Sequence, residues 1–216
     1  MVPAVSDGSE GKGKKMPRKN RRSAQTEQQI CRIFLELLEK KPLSKISVTE
    51  ICRIADLDRS TFYLHFCDVY ELMRYLERVQ LADIREQMQE LSAQNLPGEA
   101  VVRAILRYLG EHRSTFLVLM REGSPAFWNE IRRLLQQAFR DAVCRQYPEA
   151  ADLPEQELES TIVFLTNGYY GIYRRWLQDH PEEELDSIAQ LSTQLSTACI
   201  QSRLLRENAR GEERER

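Results

Sequence analysis

Five side chains that can hydrogen-bond to phosphate oxygens or to the edges of nucleotide bases lie close together in the sequence. They are Arg59, Ser60, Thr61, Tyr63 and His65. An arginine can bind guanine through two parallel hydrogen bonds, and hydroxyl groups can donate to phosphate oxygens. Phe62 and Phe66 interrupt this polar run at a spacing of four, which predicts a short helix with one apolar face and one polar face.

The segment before this helix carries the signals of another short helix. Ser47 and Glu50 form the pattern of a capping box, in which each side chain binds the main-chain amide of the other residue. Ile51, Ile54 and Ala55 follow at a spacing that places them on one face. We therefore expect a helix that begins after Ser47 and buries these three side chains.

Four residues, Ala-Asp-Leu-Asp at 55–58, separate the two helices. Asp56 tolerates the left-handed conformation that a tight turn needs, and Asp58 can cap the second helix. Two short helices joined by such a turn predict a helix-turn-helix over 47–66, with the second helix in the DNA major groove. Thr49, near the start of the first helix, is then a candidate phosphate contact. The alternatives are a helix-end threonine without a partner and, for Arg59, a solvated arginine.

Three stretches resemble the TetR/AcrR family of bacterial transcription regulators: Ile46-Ser-Val-Thr-Glu-Ile, Ala55-Asp-Leu-Asp-Arg-Ser-Thr-Phe-Tyr-Leu-His-Phe and Asp68-x-x-Glu-Leu. The resemblance is strong over residues 23–83 and loose beyond. It implies a homodimer that binds a near-palindromic DNA operator and responds to an effector. Two positions depart from the family pattern. Asp56 replaces a usual glycine, and Val69 replaces a lysine that usually contacts phosphate, so one expected DNA contact is absent.

Composition and charge fit this interpretation. Of the 216 residues, 42% are hydrophobic and 30% charged, as in globular proteins. Residues 1–66 contain 13 Lys and Arg against 8 Asp and Glu, a balance of +5, whereas the remainder carries −7. A basic N-terminal third on an acidic remainder is typical of a DNA-binding head on a body that DNA repels.

The sequence also indicates the cellular compartment of the protein. The longest uninterrupted aliphatic and aromatic run, Phe116–Met120, is too short to span a membrane. The N-terminus lacks the apolar segment of a secretory signal, and the five cysteines include no C-x-x-C pair. We expect a cytoplasmic protein with no membrane partner.

Helical periodicity and the absence of any strand pattern predict an all-α fold of about nine helices. We expect a basic, disordered arm at 1–22, a helix-turn-helix domain at 23–83, and an effector-binding and dimerisation domain at 84–216. The arm is either a solubilising tail or a segment that follows the minor groove. Gly123-Ser-Pro predicts a helix that starts at Pro125 with Ser124 as its cap. The predicted core of the head contains Phe34, Leu37, Leu38, Ile51, Ile54, Leu57, Phe62 and Phe66.

The eighth predicted helix, about Glu155 to Gln178, carries a packing seam. Its members are Leu158, Ile162, Leu165, Tyr169, Ile172 and Trp176. Gly168 and Gly171 lie within it, and each glycine costs about 1 kcal/mol in a helix interior, which favours close approach of another helix. In the ninth helix the residues expected to face inward are Leu185, Ile188, Leu191, Leu195 and Cys199. The resemblance implies a dimer through these two helices, with Leu165, Gly168, Ile172, Leu191 and Leu195 as candidate contacts.

Aromatic residues are concentrated in the body, and their hydroxyl and N–H groups need partners when buried. An apolar pocket with a few polar groups is typical of a small-molecule site. The candidate ligand contacts are Phe116, Met120, Trp128, Tyr173 and Trp176; the alternative is ordinary core. The effector itself is not identified by the sequence.

Catalytic and metal sites find no support in the sequence. His112 and His180 have no nucleophile near them and no metal-ligand spacing, and no glycine-rich phosphate loop or H-E-x-x-H motif occurs. We predict no cofactor, and a sequence-specific DNA-binding regulator that represses transcription. One alternative is a DNA-bound protein that controls a protein partner without a small ligand, and another is an α-helical enzyme.

Overall fold

The computed structural model describes residues 18–94, 98–179 and 185–214, and every regular element within them is helical, which confirms the all-α class. The α-helices are α1 (Arg18–Lys40), α2 (Val48–Ala55), α3 (Arg59–Tyr63), α4 (Val69–Ala93), α5 (Gly98–Glu111), α6 (Arg113–Glu122), α7 (Pro125–Gln146), α8 (Glu155–Asp179) and α9 (Leu185–Arg214). Two 3-10 helices, Leu43–Lys45 and Pro148–Asp152, precede α2 and α8. None of the helices in these ranges has the length and apolar character to cross a membrane.

The chain divides into two compact units. The first comprises Met1–Asp83 and Ser114–Ser124, and the second comprises Ile84–Arg113 and Pro125–Arg216. The sequence placed α6 in the C-terminal domain, but the structure groups most of it with the helix-turn-helix. The division also falls within α4, a single helix that contributes residues to both units.

The core of the first unit forms between α1, α2 and α3. Phe34, Leu38, Ile51 and Phe62 have no exposed surface. Ile54, predicted to be buried with them, is 42% exposed instead. In a helix of 100° per residue, Ile51, Cys52 and Ala55 define one face, and Ile54 lies at its edge. The other residues of this core are Ile30, Cys31, Ile33, Leu37, Cys52, Ala55 and Phe66, while the predicted Leu57 is half-buried.

The ends of the helices differ from the prediction in two places. α1 begins at Arg18, so residues 18–22 of the predicted arm are helical, while residues 1–17 lie outside the described residues. α9 continues to Arg214, whereas the charged sequence from residue 206 predicts a frayed end. Residues 95–97, whose Asn-Leu-Pro sequence predicts a turn, and residues 180–184 also lie outside the described ranges.

α5, α7, α8 and α9 form the core of the second unit. One cluster joins α7, α8 and α9 through Val143, Ala150, Leu153, Leu158, Ile162, Leu165 and Ile200. α5 approaches α8 closely at Gly110, where an added β-carbon would lie 3.1 Å from the Trp176 ring. A side chain at this position would therefore push the ring or the helix away.

The apolar face of α9 points only partly into this core. Leu191 and Leu195, predicted to face inward, are 54% and 55% exposed, whereas Ala189 and Ser192 are buried. The leucine spacing alone predicted a buried seam because it does not distinguish a core within one chain from a surface that meets another chain.

Candidate DNA-binding surface and ligand cavity

The turn between α2 and α3 depends on Asp56. Its φ and ψ of 52° and 50° are left-handed, as predicted, and its N–H donates to the carbonyl of Cys52. The N–H of Leu57 donates to the same carbonyl at 3.0 Å. Aspartate is one of the few residues besides glycine that adopt this conformation at low cost. The turn therefore directs α3 away from α2 without the glycine usual in the family.

Of the side-chain caps predicted for α2 and α3, only part is present. The Ser47 hydroxyl accepts the N–H of Glu50 at 3.3 Å. The Glu50 carboxylate does not return to Ser47 but accepts from Lys41 Nζ at 2.5 Å, because this cation lies within reach. Asp58 occupies the N-cap position of α3 without a side-chain hydrogen bond, and only its carbonyl receives the N–H groups of Thr61 and Phe62.

The outer face of α3 presents polar side chains to solvent. Arg59 and Ser60 are exposed, Tyr63 is 55% exposed and Thr61 is half-buried. Arg59 Nη2 donates to the hydroxyl of Thr49 at 2.5 Å, which joins the starts of α2 and α3 on the same exposed surface. We call Thr49, Arg59, Ser60, Thr61 and Tyr63 the recognition face. Its side chains carry the hydrogen-bonding groups that base edges and phosphates need.

His65 is placed differently from the prediction. Its side chain is only 10% exposed, and Nδ1 lies 3.7 Å from Glu27 Oε2 of α1. α3 ends at Tyr63, so the chain has already turned inward when it reaches His65. His65 is therefore not part of the recognition face in this structure.

Glu27 lies at the centre of a polar cluster between α1 and α4. The hydroxyl of Tyr75, on α4, donates to Glu27 Oε1. Burial and this carboxylate raise the pKa of Tyr75 above its ordinary value. Burial, with a smaller effect of Glu27, raises the pKa of Cys31 to about 12. Both groups are therefore uncharged at neutral pH, and Glu27 links α1 to α4.

The loop after α3 is held by the start of α4. Asp68 Oδ1 accepts the N–H of Glu71 at 2.6 Å, and Glu71 Oε2 accepts the N–H of Cys67 at 2.6 Å. Val69, which replaces the family lysine, is 8% exposed and packs inward. Tyr70 beside it is 52% exposed. The sequence does not indicate that Tyr70 is exposed, since a single aromatic residue outside a motif is indistinguishable from a core residue.

The second unit contains a cavity of about 640 Å³. α4, α5, α7, α8 and α9 all contribute to its wall, which is mainly apolar. Its apolar side chains include Met88, Leu91, Val101, Val102, Ile105, Leu134, Leu135, Phe139, Val143, Leu165 and Ile200. This size is typical of a site for a small organic molecule.

Three hydroxyl groups from α8 and α9 meet at one wall of the cavity. Tyr169, Thr193 and Ser196 form this hydroxyl cluster, in which the Tyr169 and Ser196 oxygens are 2.9 Å apart. Burial raises the pKa of Tyr169, and its contacts with the hydroxyl groups of Ser196 and Thr193 oppose that rise only in part. The Phe139 ring lies 4.6 Å from the Tyr169 ring between centroids, so an aromatic surface adjoins the hydroxyls.

The charged groups of the cavity wall are exposed and have partners. Arg85 forms an ion pair with Glu130 at 2.5 Å, and Gln137 donates to Asp141 at 2.9 Å. Arg145 Nη1 lies 3.4 Å from the hydroxyl of Ser92. The wall thus carries both signs of charge at its solvent side and hydroxyl groups inside.

The predicted ligand contacts are not among the residues that line this cavity. Phe116 and Met120 belong to the first unit, and Trp128, Tyr173 and Trp176 belong to the second. The Tyr173 hydroxyl and the Trp176 N–H are buried and make no hydrogen bond within the described part of the chain. Aromatic density drew attention to α8, but helical periodicity does not distinguish Tyr169, which lines the cavity, from Tyr173, which does not.

The outward side of α8 and α9 is apolar and open. Phe164 is 68% exposed, and added β-carbons at Gly168 and Gly171 would meet no atom within 4 Å. Leu191 and Leu195 of α9 are also exposed. Of the other predicted dimer contacts, Leu165 is buried within the chain and Ile172 is half-buried.

Comparison with known proteins independently indicates that the chain resembles transcriptional regulators. Residues 99–198 match a TetR-type family model described as "Transcriptional regulator C-terminal region". The chain is 28% identical over 181 residues to the HTH-type transcriptional regulator AcrR of Shigella flexneri, covering 75% of this chain and 83% of that protein. It also resembles a TetR transcriptional regulator from Streptococcus agalactiae 2603V, with a TM-score of 0.59, 21% identity and coverage of 82% and 97% of the two chains. For a SmeT–triclosan complex the TM-score is 0.61, with 17% identity and coverage of 81% and 90%.

A three-helix head with an exposed recognition helix, on a chain whose C-terminal part matches a regulator model, defines a helix-turn-helix DNA-binding protein. The chain is similar to transcriptional regulators of the TetR/AcrR type, over residues 99–198 for the family model and over most of its length for the Shigella flexneri protein. Within the described residues, no group of His, Cys, Asp and Glu side chains is arranged to hold a metal ion.

Proposed function

We propose that this regulator is a repressor that binds a near-palindromic operator as a homodimer and releases it when an effector occupies the body. We place it in the cytoplasm, where its DNA target lies. The DNA-binding part of this proposal rests on the recognition face. Phe62, which is fully buried on the inner side of α3, holds this face in place. Arg59, exposed and oriented by Thr49, is the side chain best suited to read a base.

Dimerisation is supported by the open apolar side of α8 and α9. Phe164, Leu191 and Leu195 are each more than half exposed, and Gly168 leaves room for a second helix. A two-fold axis would bring the same surface of each copy together. Binding to half-sites one helical turn apart requires the two recognition helices of such a dimer to lie roughly 34–36 Å apart.

The effector site is proposed to be the cavity in the second unit, because its wall includes residues of α4 such as Met88 and Leu91. α4 begins directly after the helix-turn-helix. A ligand that binds one α4 orientation better than another would shift the spacing of the recognition helices. The similarity to the protein bound to triclosan supports a small organic effector.

Selection of bound sites from a random duplex library tests the DNA-binding role. The expected product is a pair of inverted half-sites whose centres are about one helical turn, or a multiple of it, apart. The matched comparison is the same selection with the variant Arg59→Ala. Enrichment of no common sequence by the unaltered protein, or the same enrichment by both proteins, would contradict the assignment.

A further inference from the structure

The hydroxyl cluster has already used its protons on acceptors within the protein. The Thr193 hydroxyl donates to the carbonyl of Ala189 at 2.8 Å, and the Ser196 hydroxyl to that of Thr193 at 2.9 Å. The Tyr169 hydroxyl donates to the carbonyl of Ser192 at 3.2 Å or to Ser196 Oγ at 2.9 Å, and either bond uses its only proton. Each hydroxyl has one proton and two acceptor lone pairs. What remains for a molecule in the cavity is therefore a group of acceptor oxygens.

The hydroxyl cluster disfavours a charged group beside it. A carboxylate would meet oxygen lone pairs and find no donor there. An ammonium group would find acceptors but no counter-ion, because Asp141 is exposed and already accepts from Gln137. An ion removed from water without a partner is strongly disfavoured. A neutral O–H or N–H group can bind the acceptor oxygens without either penalty.

We propose that the cavity binds an uncharged, mostly apolar molecule that donates a hydrogen bond to the hydroxyl cluster at Tyr169. This inference rests on the proposed role of the cavity as the effector site. It adds the chemical class of the effector: a flat or aromatic body against Phe139, with one hydroxyl or amide N–H group directed at Tyr169.

Four small molecules of similar shape distinguish the possible chemical classes of ligand. They are 4-phenylphenol, a neutral donor; 4-methoxybiphenyl, a neutral acceptor; biphenyl-4-carboxylate, an anion; and biphenyl-4-ylmethylammonium, a cation. Binding to the full chain is measured by titration calorimetry at neutral pH. The phenol should bind most tightly, and both ions more weakly than the methyl ether.

The variant Tyr169→Phe removes the acceptor at the centre of the cluster. It should reduce the preference for the phenol over the ether by about fivefold, as expected for one neutral hydrogen bond.

Tyr170→Phe is the matched control, because Tyr170 is the next residue of α8 and does not line the cavity. It should leave the phenol-to-ether ratio unchanged. Tightest binding of either ion, an unchanged ratio in Tyr169→Phe, or no binding of any probe would overturn the proposal. Operator affinity is measured separately with and without 4-phenylphenol. If the probe order holds but operator affinity does not change, the ligand class stands and the effector role of the cavity fails.

Discussion

Arg59 and Thr49 share a hydrogen bond of 2.5 Å across the exposed side of the helix-turn-helix. The bond joins the first helical residue of α3 to the second residue of α2, so it orients the guanidinium group before DNA arrives. A pre-oriented arginine loses less side-chain freedom when it binds a base. The two residues therefore have different expected roles, Arg59 as a reader and Thr49 as its support and as a phosphate contact.

Separate substitutions distinguish these roles. Arg59→Ala should weaken binding to the selected operator by about 1–3 kcal/mol and relax the preference at one base pair in each half-site. Thr49→Val keeps the shape of the side chain but removes its hydroxyl. It should lower affinity for all duplexes without changing the preferred base. Fluorescence anisotropy with single-base operator variants measures both effects, and an unchanged preference in Arg59→Ala would contradict the assigned role.

The Glu27 cluster should matter for stability. Glu27→Ala leaves the half-buried Tyr75 hydroxyl without its acceptor, so the free energy of unfolding should fall by about 1–3 kcal/mol. Glu36→Ala changes an exposed glutamate of the same helix and should have little effect. Urea unfolding curves give both values. Equal decreases in stability for the two variants would show that the hydrogen bond to Tyr75 contributes nothing specific.

The proposed dimer surface predicts a change of oligomeric state without loss of the fold. Gly168→Leu adds a side chain where the chain itself leaves space, so the protomer should fold while the dimer dissociates. Leu195→Glu should act in the same way by placing a charge at the interface. Light scattering gives the mass, and circular dichroism reports the fold. Gln190→Glu, on an exposed position of α9, is the control that should stay dimeric.

The basic N-terminal segment should add attraction that does not depend on DNA sequence. Deleting residues 1–17 removes Lys12, Lys14 and Lys15. The slope of log affinity against log salt should become less steep by about one for each phosphate that the segment no longer neutralises. Residues 18–22 stay in this variant because they form the start of α1. An identical slope for the shortened and complete chains would make the segment a tail without a role in binding.

Cys67 is an exposed thiol whose reactivity depends on Glu71. The hydrogen bond to this carboxylate raises the pKa of Cys67, so the reactive thiolate is scarcer at neutral pH than in an ordinary exposed cysteine. Glu71→Gln should lower that pKa and speed modification by a disulfide reagent at pH 8. Cys31 should stay unmodified in the folded protein, because it is buried and its pKa is about 12. Mass spectrometry after short exposure identifies the modified residue, and an unchanged rate in Glu71→Gln would contradict the link.

The sequence predicted the head better than the body. Turn and cap signals are local, so the left-handed Asp56, the Ser47 cap and the start of α7 at Pro125 were all found in the structure. The partners of long side chains are not local, which is why the sequence does not reveal the ion pair of Glu50 with Lys41 or the inward turn of His65. The cavity depends on which side chains of five helices leave space between them, and helical periodicity carries no information about empty volume.

The left-handed Asp56 also affects the unfolded chain. Glycine at this position would remove the steric cost of the left-handed conformation, but it would give the unfolded chain more conformational freedom to lose on folding. The two effects oppose each other, and each amounts to about 1 kcal/mol. Asp56 therefore lets the same turn form with a more restricted unfolded ensemble. The angle between α2 and α3 can thus be kept during evolution by either residue, at nearly equal stability.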